Sequence, residues 1–125
     1  MENQELVFSF KHYDTSLDAR YCLSKWTQAQ VKDALYRLSE VNRKSFLDLL
    51  RQSRIWHFHE VDWSQTTQRT GFPGTALDQL PHFQFELPGV NSGKARVFGA
   101  YQKGVFFIVW FDLNHEIWPS LLKHT

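Results

Sequence analysis

Apolar residues alternate with polar ones near the start of the chain. Residues 5–11 place Leu6, Phe8 and Phe10 on one side of an extended segment, whereas Val7 interrupts the polar side. This two-residue period is typical of a β-strand with one buried face. The pattern therefore predicts a first strand over residues 5–11, which is also a candidate for an exposed sheet edge.

The last third of the chain predicts three adjacent strands. Residues 83–87 alternate apolar and polar side chains, and a Lys103-Gly104 turn separates the next two strands. Residues 105–111 form an unbroken apolar run, which is typical of a strand buried on both faces. We therefore expect a small antiparallel sheet that contains this buried strand.

Two helices are predicted between the first strand and the last three. Thr27 and Gln30 have the spacing of a capping box at a helix start. The apolar residues that then recur at helical spacing are Val31, Ala34, Leu35, Leu38 and Val41. Asn42 is predicted to cap a second, shorter helix, whose buried stripe consists of Phe46, Leu49 and Leu50. The short gap between the helices indicates an antiparallel pair on one face of the sheet.

The middle of the chain is less regular. Residues 54–63, RIWHFHEVDW, are strand-like in composition but carry many ionisable groups, and residues 64–81 have the glycine and proline content of a long loop. No repeat or linker divides the sequence. The whole pattern predicts one domain over residues 1–125, of the α+β class. We expect a small antiparallel sheet in β-α-α-β-β-β order with two helices packed on one face.

Composition and charge exclude several classes of protein. The chain of 125 residues is 42% hydrophobic, as folded domains are, and its net charge of +1 gives no general attraction to nucleic acids or membranes. The single cysteine, Cys22, excludes an internal disulfide and disfavours a cysteine-based metal centre. No apolar run is long enough to cross a bilayer, and no secretory signal is visible. These features predict a cytoplasmic protein that needs no cofactor.

Polar residues gather at the ends of the last predicted strands. Arg96, Asp112, His115 and Glu116 lie where side chains are accessible to a ligand. Structural roles compete with functional ones at these positions. Arg96 is placed to pair with Glu86 or Asp112 across the sheet, and His115 follows a buried strand, where polar residues commonly bond the backbone.

The ionisable residues have the chemistry of metal-free RNA cleavage. That reaction needs a base for the 2′-hydroxyl proton, an acid for the leaving oxygen and cations for the phosphate. Imidazole suits both proton transfers because its reference pKa, about 6.5, lies near neutrality. The candidate catalytic residues are Arg96, His115, His59 and His57, and the candidate RNA-binding residues are Lys94, Trp118 and Trp63. Trp118 is expected to be partly exposed, so that it can stack on a base.

The order of elements and the meander GKARVFGAYQKGVFFIVWFDLNHEIW resemble the RelE/ParE-type toxin family, whose members run strand, two helices and three antiparallel strands. Arg96 lies where the meander of that family carries an arginine. The resemblance implies a RelE-like fold and an endoribonuclease in which Arg96, His115 and Trp118 contact and cleave RNA. In the ribonucleolytic members the substrate is messenger RNA in the ribosome. The resemblance also implies an antitoxin protein as partner, and it implies neither DNA nor a membrane.

Two other functions stay open. Gln84 and Glu86 stand where ribonucleolytic members of that family carry basic residues, and the net charge is low. Both features favour a non-catalytic module on the same scaffold, one that binds a protein partner in phage defence or plasmid maintenance. His57 and His59 alternate along one predicted strand and would face one side of it. With Asp62 they form the centre of a third alternative, a metal-dependent hydrolase.

Overall fold

A computed structural model describes residues 4–16 and 20–119 of the chain. Within those ranges the protein is of the α+β class, with five strands in one sheet and three α-helices. The elements are β1 (Val7–Ser9), α1 (Gln28–Val41), α2 (Phe46–Arg51), α3 (Ser53–Trp56), β2 (His59–Glu60), β3 (His82–Glu86), β4 (Arg96–Gln102) and β5 (Val105–Asp112). None of these helices has the length and apolar content needed to cross a bilayer.

The sheet is mixed, and its strands lie in the order β1-β5-β4-β3-β2. Strands β2 to β5 pair antiparallel with their neighbours, whereas β1 pairs parallel with β5. The prediction of a purely antiparallel sheet with four strands is therefore wrong. Alternation along a strand reports which side chains are buried, but it does not report the direction of the partner strand. A strand of two residues such as β2 is also too short to have a period.

The helix starts follow from local capping. Thr27 and Gln30 form the predicted capping box, with reciprocal bonds of 3.1 Å and 2.9 Å between side chain and backbone. The predicted cap at Asn42 is wrong, because α2 begins after Ser45, whose side chain forms its own capping box with Asp48. Asn42 instead ends α1 and donates from Nδ2 to the carbonyl of Leu6 over 2.9 Å.

The segment predicted as strand-like, residues 54–63, is strand only at β2, His59–Glu60. It begins as helix, and the chain around β2 is irregular. Helix α3 covers its beginning and ends at His57, whose backbone is left-handed with φ of 48°. The His57 amide closes the helix by donating to the Ser53 carbonyl over 2.7 Å. Trp56 and Phe58 are both buried, so the alternation that resembled a strand arises where a helix end meets an extended segment.

The sheet buries apolar side chains on both of its faces. We name the side that packs against the helices the helix face, and its core includes Leu38, Leu49, Trp56, Phe85, Phe106 and Ile108. We name the other side the loop face, and its core includes Phe72, Phe98, Val109, Trp110 and Ile117. Strand β5 contributes to both cores, which confirms the prediction that it is buried on both faces.

The loop face is covered by irregular chain, mainly residues 61–80 and the turn after β5. Trp63 Nε1 donates to His82 Nδ1 over 2.9 Å, and His82 Nε2 lies 2.8 Å from the Leu77 carbonyl oxygen. Thr67 N donates to the Ile117 carbonyl over 2.8 Å. The long predicted loop is therefore held onto the sheet by specific hydrogen bonds and by packing of its aromatic residues.

Candidate functional site

Three charged residues stand side by side at one end of the sheet. Glu86 on β3 pairs with Arg96 on β4, and Arg96 pairs with Asp112 on β5. Side chains alternate along a strand, so Arg96 projects to the same face as Phe98, which belongs to the loop-face core. The three residues therefore form a row of charges across the loop face, which we name the charged row.

Arg96, at the centre of the charged row, is only 6% exposed. Its Nη1 donates to the carbonyls of Gly93 and Ala95 over 2.7 Å and 3.2 Å, and its Nη2 lies 3.6 Å from Glu86 Oε1. Burial lowers the pKa of the guanidinium, and the charges of Glu86 and Asp112 oppose that shift. Its Nε has no hydrogen-bond partner among the described residues. The pairing of Arg96 with Glu86 across the sheet is therefore observed.

Asp112 is 1% exposed and organises the turn that follows β5. Its Oδ1 accepts from the Glu116 amide over 3.0 Å, and its Oδ2 accepts from the Ile117 amide over 2.7 Å. Burial raises the pKa of the carboxyl group, while the two amide bonds and the charge of Arg96 oppose the rise. His115 lies inside this turn with a left-handed φ of 59°, so Asp112 fixes the backbone that carries His115.

His57 approaches the charged row from the end of α3. Its Nε2 lies 3.3 Å from Glu86 Oε1, the same oxygen that Arg96 approaches. The side chain of His57 is 42% exposed, whereas that of Glu86 is only 14% exposed. The carbonyl of His57 also accepts a bond of 3.3 Å from Gln84 Nε2. In the tautomer that carries its proton on Nε2, toward Glu86, Nδ1 is the acceptor nitrogen that a general base uses.

Two more of the predicted residues lie at this end of the sheet. The ring centroid of His59 is 6.3 Å from that of His57. Lys94 is exposed in the turn between β3 and β4, directly after Gly93, where a Cβ would stand 3.4 Å from Glu86 Oε2. The β3–β4 turn also meets the turn that holds His115, because Asn91 Nδ2 donates to the Leu113 carbonyl over 2.9 Å.

The tryptophans lie elsewhere. Trp118 is 7% exposed and packs in the loop-face core, so the prediction that it is partly exposed is wrong. The turn fixed by Asp112 folds that part of the chain onto the sheet. Trp63 is half-buried, its indole N–H is bonded to His82, and its ring packs on that of Phe72 with centroids 5.0 Å apart. Trp118 is therefore too buried for a base to stack on it, and Trp63 is already packed against Phe72 and bonded to His82.

The described part of the chain does not bring together the ligands that the metal-dependent alternative needs. Within residues 4–16 and 20–119, no group of three or more His, Cys, Asp or Glu side chains is placed to hold a metal ion. The carboxylate of Asp62 accepts from the amide and hydroxyl of Ser64 over 3.1 Å and 2.6 Å. Asp62 therefore caps a short 3-10 helix, Trp63–Gln65, instead of joining His57 and His59.

Sequence reasoning missed the position of Glu86 between His57 and Arg96. The sequence indicates only that Glu86 departs from the family pattern and can form an ion pair with Arg96. Gln84 and Glu86 are two residues apart, so both side chains lie on one face of β3. That spacing was the available indication that the two residues share a neighbour. Both residues contact His57, Gln84 through the backbone and Glu86 through the ring.

These observations define an α+β protein in which an accessible imidazole lies beside a half-buried carboxylate and a buried guanidinium. We compared the chain with protein-family models, with curated proteins and with solved structures, and nothing matches it. An assignment of function therefore depends on the geometry of the site.

Proposed function

We propose that the protein is a RelE-like endoribonuclease that cleaves RNA by metal-independent acid and base chemistry. The observation that carries the proposal is the 3.3 Å approach of His57 Nε2 to Glu86 Oε1, at an imidazole that is 42% exposed. A carboxylate bonded to one ring nitrogen fixes the tautomer and orientation of the other. His57 thereby becomes the candidate base for the 2′-hydroxyl of an RNA backbone.

The reaction transfers two protons. Nδ1 of His57 takes the proton of a ribose 2′-hydroxyl while that oxygen attacks the adjacent phosphorus. The bond from phosphorus to the 5′ oxygen breaks, and a second imidazole gives that oxygen a proton. His59, with its ring centroid 6.3 Å from that of His57, is one candidate for this acid, and His115 is the other. The products are a 2′,3′-cyclic phosphate and a 5′-hydroxyl, so the step consumes no co-reactant.

In this proposal Arg96 has a different role from the one that the family resemblance implies. A guanidinium that is 6% exposed does not reach a phosphate without a rearrangement of its cover. Arg96 instead forms an ion pair with Glu86, and Glu86 orients the imidazole of His57. Arg96 and Glu86 are therefore positioning residues. Lys94, exposed in the neighbouring turn, is the candidate cation for the phosphate.

A RelE-like scaffold and a protein antitoxin belong to the same proposal. The support is the element order, in which a first strand and helices precede an antiparallel meander, β3-β4-β5, with the helices packed on one face. The short β2 and the cover of residues 61–80 are additions to the predicted pattern. The proposed location is the cytoplasm, where both messenger RNA and an antitoxin would be encountered.

The test is cleavage of RNA by the purified protein in the presence of a chelator, with and without ribosomes. Variants His57→Gln and Glu86→Gln are compared with His12→Gln, which changes the same residue type outside the charged row. We expect His57→Gln to lower the cleavage rate about 100-fold or more, because general base catalysis contributes about 10²–10⁴-fold. Glu86→Gln should lower the rate less and change its pH profile, and His12→Gln should cleave as the wild type does.

Failure of the wild type to cleave RNA under any of these conditions contradicts the proposal. Equal rates for His57→Gln and His12→Gln also contradict it, because they remove His57 from the mechanism. Inducible expression in a bacterial host gives an independent measurement. We expect the wild type to arrest growth and deplete messenger RNA, and the His57→Gln variant to do neither.

A non-catalytic interaction module is the second candidate, and one observation favours it. The charged row is largely buried, with Arg96 at 6% and Asp112 at 1% exposed, so a structural role for both residues is sufficient. The same expression experiment separates the two candidates. Unchanged growth and intact messenger RNA, together with a protein that copurifies with the wild type, are the outcomes expected of a binding module.

A further inference from the structure

Positive charge is concentrated in one segment of the chain. Residues 43–57 contain four of the fourteen Lys and Arg residues but only one of the thirteen acidic residues, so this segment has a net charge of +3. The remaining residues together have a net charge of −2, and the low charge of the whole chain therefore conceals an asymmetry. The segment contains α2 and α3, and it ends at His57.

The four cations of this segment are accessible. Arg43, Arg51 and Arg54 are exposed, and Lys44 is half-buried. No ion pair of residues 4–16 and 20–119 includes any of the four. Their charges are therefore available to an anionic ligand.

Two of the cations lie beside the end of α3. Nζ of Lys44 is 5.9 Å from the centroid of the Trp56 ring, which directly precedes His57. Arg54 is one helical turn before His57, because the His57 amide bonds the Ser53 carbonyl as in a regular helix. Positive charge thus reaches the candidate base along the element that carries it.

A third cation extends this charge along α2. The backbone bond from Ser45 lowers the pKa of Asp48, and the charges of Lys44 and Arg51 add to that effect. Both cations therefore lie close to the Asp48 carboxylate, which is itself bound to the Ser45 amide over 2.9 Å. We name the surface of Lys44, Arg51 and Arg54 the basic face.

Exposed apolar side chains accompany the basic face. Leu50 and Ile55 are 42% and 57% exposed, and each is adjacent in sequence to one of the arginines. An unpaired RNA strand presents phosphates together with the faces of its bases, whereas an RNA duplex is bound mainly through its backbone. A surface with both cations and apolar side chains therefore suits single-stranded RNA better than a duplex.

The position of the basic face favours RNA over an acidic protein as its ligand. In the proposed reaction His57 lies at the phosphate that is cleaved, and the strand continues beyond that phosphate. Because Arg54 is one turn of α3 from His57, the neighbouring phosphates meet positive charge at once. An acidic protein would match the charge of the basic face but has no reason to reach His57.

We infer that the basic face binds the backbone of single-stranded RNA next to the phosphate that is cleaved at His57. Lys44, Arg51 and Arg54 contact phosphates of the same strand, while Leu50 and Ile55 contact bases. The inference rests on the proposed function for the position of the reacting phosphate. Binding through phosphates does not depend on the base sequence and weakens as salt rises.

The test is fluorescence anisotropy of a labelled single-stranded RNA of about 12 nucleotides, 2′-O-methylated so that it cannot be cleaved. We expect Arg51→Gln with Arg54→Gln to weaken binding about tenfold or more at low salt. The slope of log K against log salt should become shallower by about 1.4, because each phosphate contact of a single strand contributes about 0.7. Lys32→Gln with Arg69→Gln removes equal charge from exposed residues outside the basic face and should keep the wild-type slope.

The variant Ile55→Ser tests the apolar part of the contact. It should weaken binding of the single strand without changing the salt slope, because it removes contact with a base and no charge. A methylated duplex of the same sequence should be insensitive to Ile55→Ser. Thermal denaturation of each variant checks that these substitutions at exposed residues leave the protein folded.

The outcomes separate this inference from the proposed nuclease. Absence of binding, or equal slopes for the two double variants, overturns the inference even when the wild type cleaves ordinary RNA. Tighter binding of poly-glutamate than of the RNA also overturns it and assigns the basic face to an acidic protein. Binding that depends on Arg51 and Arg54, without cleavage of ordinary RNA, supports the RNA-binding face and contradicts the nuclease.

Discussion

The two faces of the sheet are stabilised in different ways. The helix face is packed by apolar side chains from regular elements, such as Leu38 of α1 and Phe85 of β3. The loop face is covered by irregular chain, and it carries both of the buried charged residues in the described chain, Arg96 and Asp112. Apolar side chains are buried wherever their spacing along the sequence matches the helix or strand period, whereas a buried charged group needs particular hydrogen-bonding or ionic partners. The candidate site lies on the loop face, where the covering chain is held by contacts of individual residues and not by regular helices.

A substitution in the helix-face core should have the largest effect on stability. Phe85 is fully buried, and its ring lies 5.3 Å from that of Phe106 and 6.3 Å from that of Phe8. We expect Phe85→Ala to lower the free energy of unfolding in urea by about 3–5 kcal/mol. Tyr36→Ala, at a residue that is 63% exposed, is the control and should change it by less than about 0.5 kcal/mol. A loss below about 1 kcal/mol at Phe85 contradicts the comparison of the faces.

A change to the charged row should cost less and act more locally. Asp112→Asn keeps the shape of the side chain but removes the charge that faces Arg96. We expect a loss of about 1–3 kcal/mol in unfolding free energy. Faster hydrogen exchange at the Ile117 amide, which donates to Asp112 over 2.7 Å, should accompany it. Glu116→Gln, at an exposed residue of the same turn, is the matched control and should leave that amide protected.

The smallest effects, on pH dependence, should have opposite signs for two carboxylates. The backbone bond from Ser45 lowers the pKa of Asp48 at the start of α2, whereas burial raises the pKa of Asp112. The stability that Asp48 supplies is present above the ordinary Asp pKa of about 3.9 and is lost as pH falls through its lowered value. The penalty for ionised Asp112 applies above its raised pKa and is relieved as pH falls toward the ordinary value.

Melting temperatures measured between about pH 7 and about pH 3 check this difference of sign. As pH falls, the wild type should lose its advantage over Asp48→Asn and should gain stability relative to Asp112→Asn. Parallel pH profiles for the three proteins would contradict the comparison, because both carboxylates would then titrate alike. The double variant should show the sum of the two differences, since the residues belong to different faces.

The sequence predicted those helices and strands whose apolar residues recur at a regular spacing or whose ends carry a local capping motif. Thr27 and Gln30 define the start of α1 because capping depends only on residues three apart. Residues 105–111 identified a doubly buried strand because every residue of the run is apolar. The predicted start of α2 is wrong because Asn42 and Ser45 are both good caps. Ser45 is distinguished by its capping box, in which its amide donates to the Asp48 carboxylate and its hydroxyl accepts from the Asp48 amide.

The candidate site was accessible to sequence reasoning only in part. Pairing of Glu86 with Arg96 follows from the hairpin that joins β3 and β4, so a cross-strand ion pair was foreseeable. The approach of His57 to Glu86 could not be foreseen, because it depends on the left-handed backbone of His57 at the end of the four-residue helix α3. Glycine often marks a left-handed position at the end of a helix, and it can be recognised in a sequence. Here the left-handed residue is a histidine, with φ of 48°, which gives no such signal.

The parallel pairing of Val7 with Val105 imposes an order on biosynthesis. Strand β1 is synthesised long before β5, so until then its contacts are limited to earlier elements such as the α1–α2 connection, where Leu6 bonds Asn42 and Lys44. Closing so long a loop is entropically costly, and contacts of this kind slow folding. Strand β1 is therefore expected to join the sheet late, only after β5 has been synthesised.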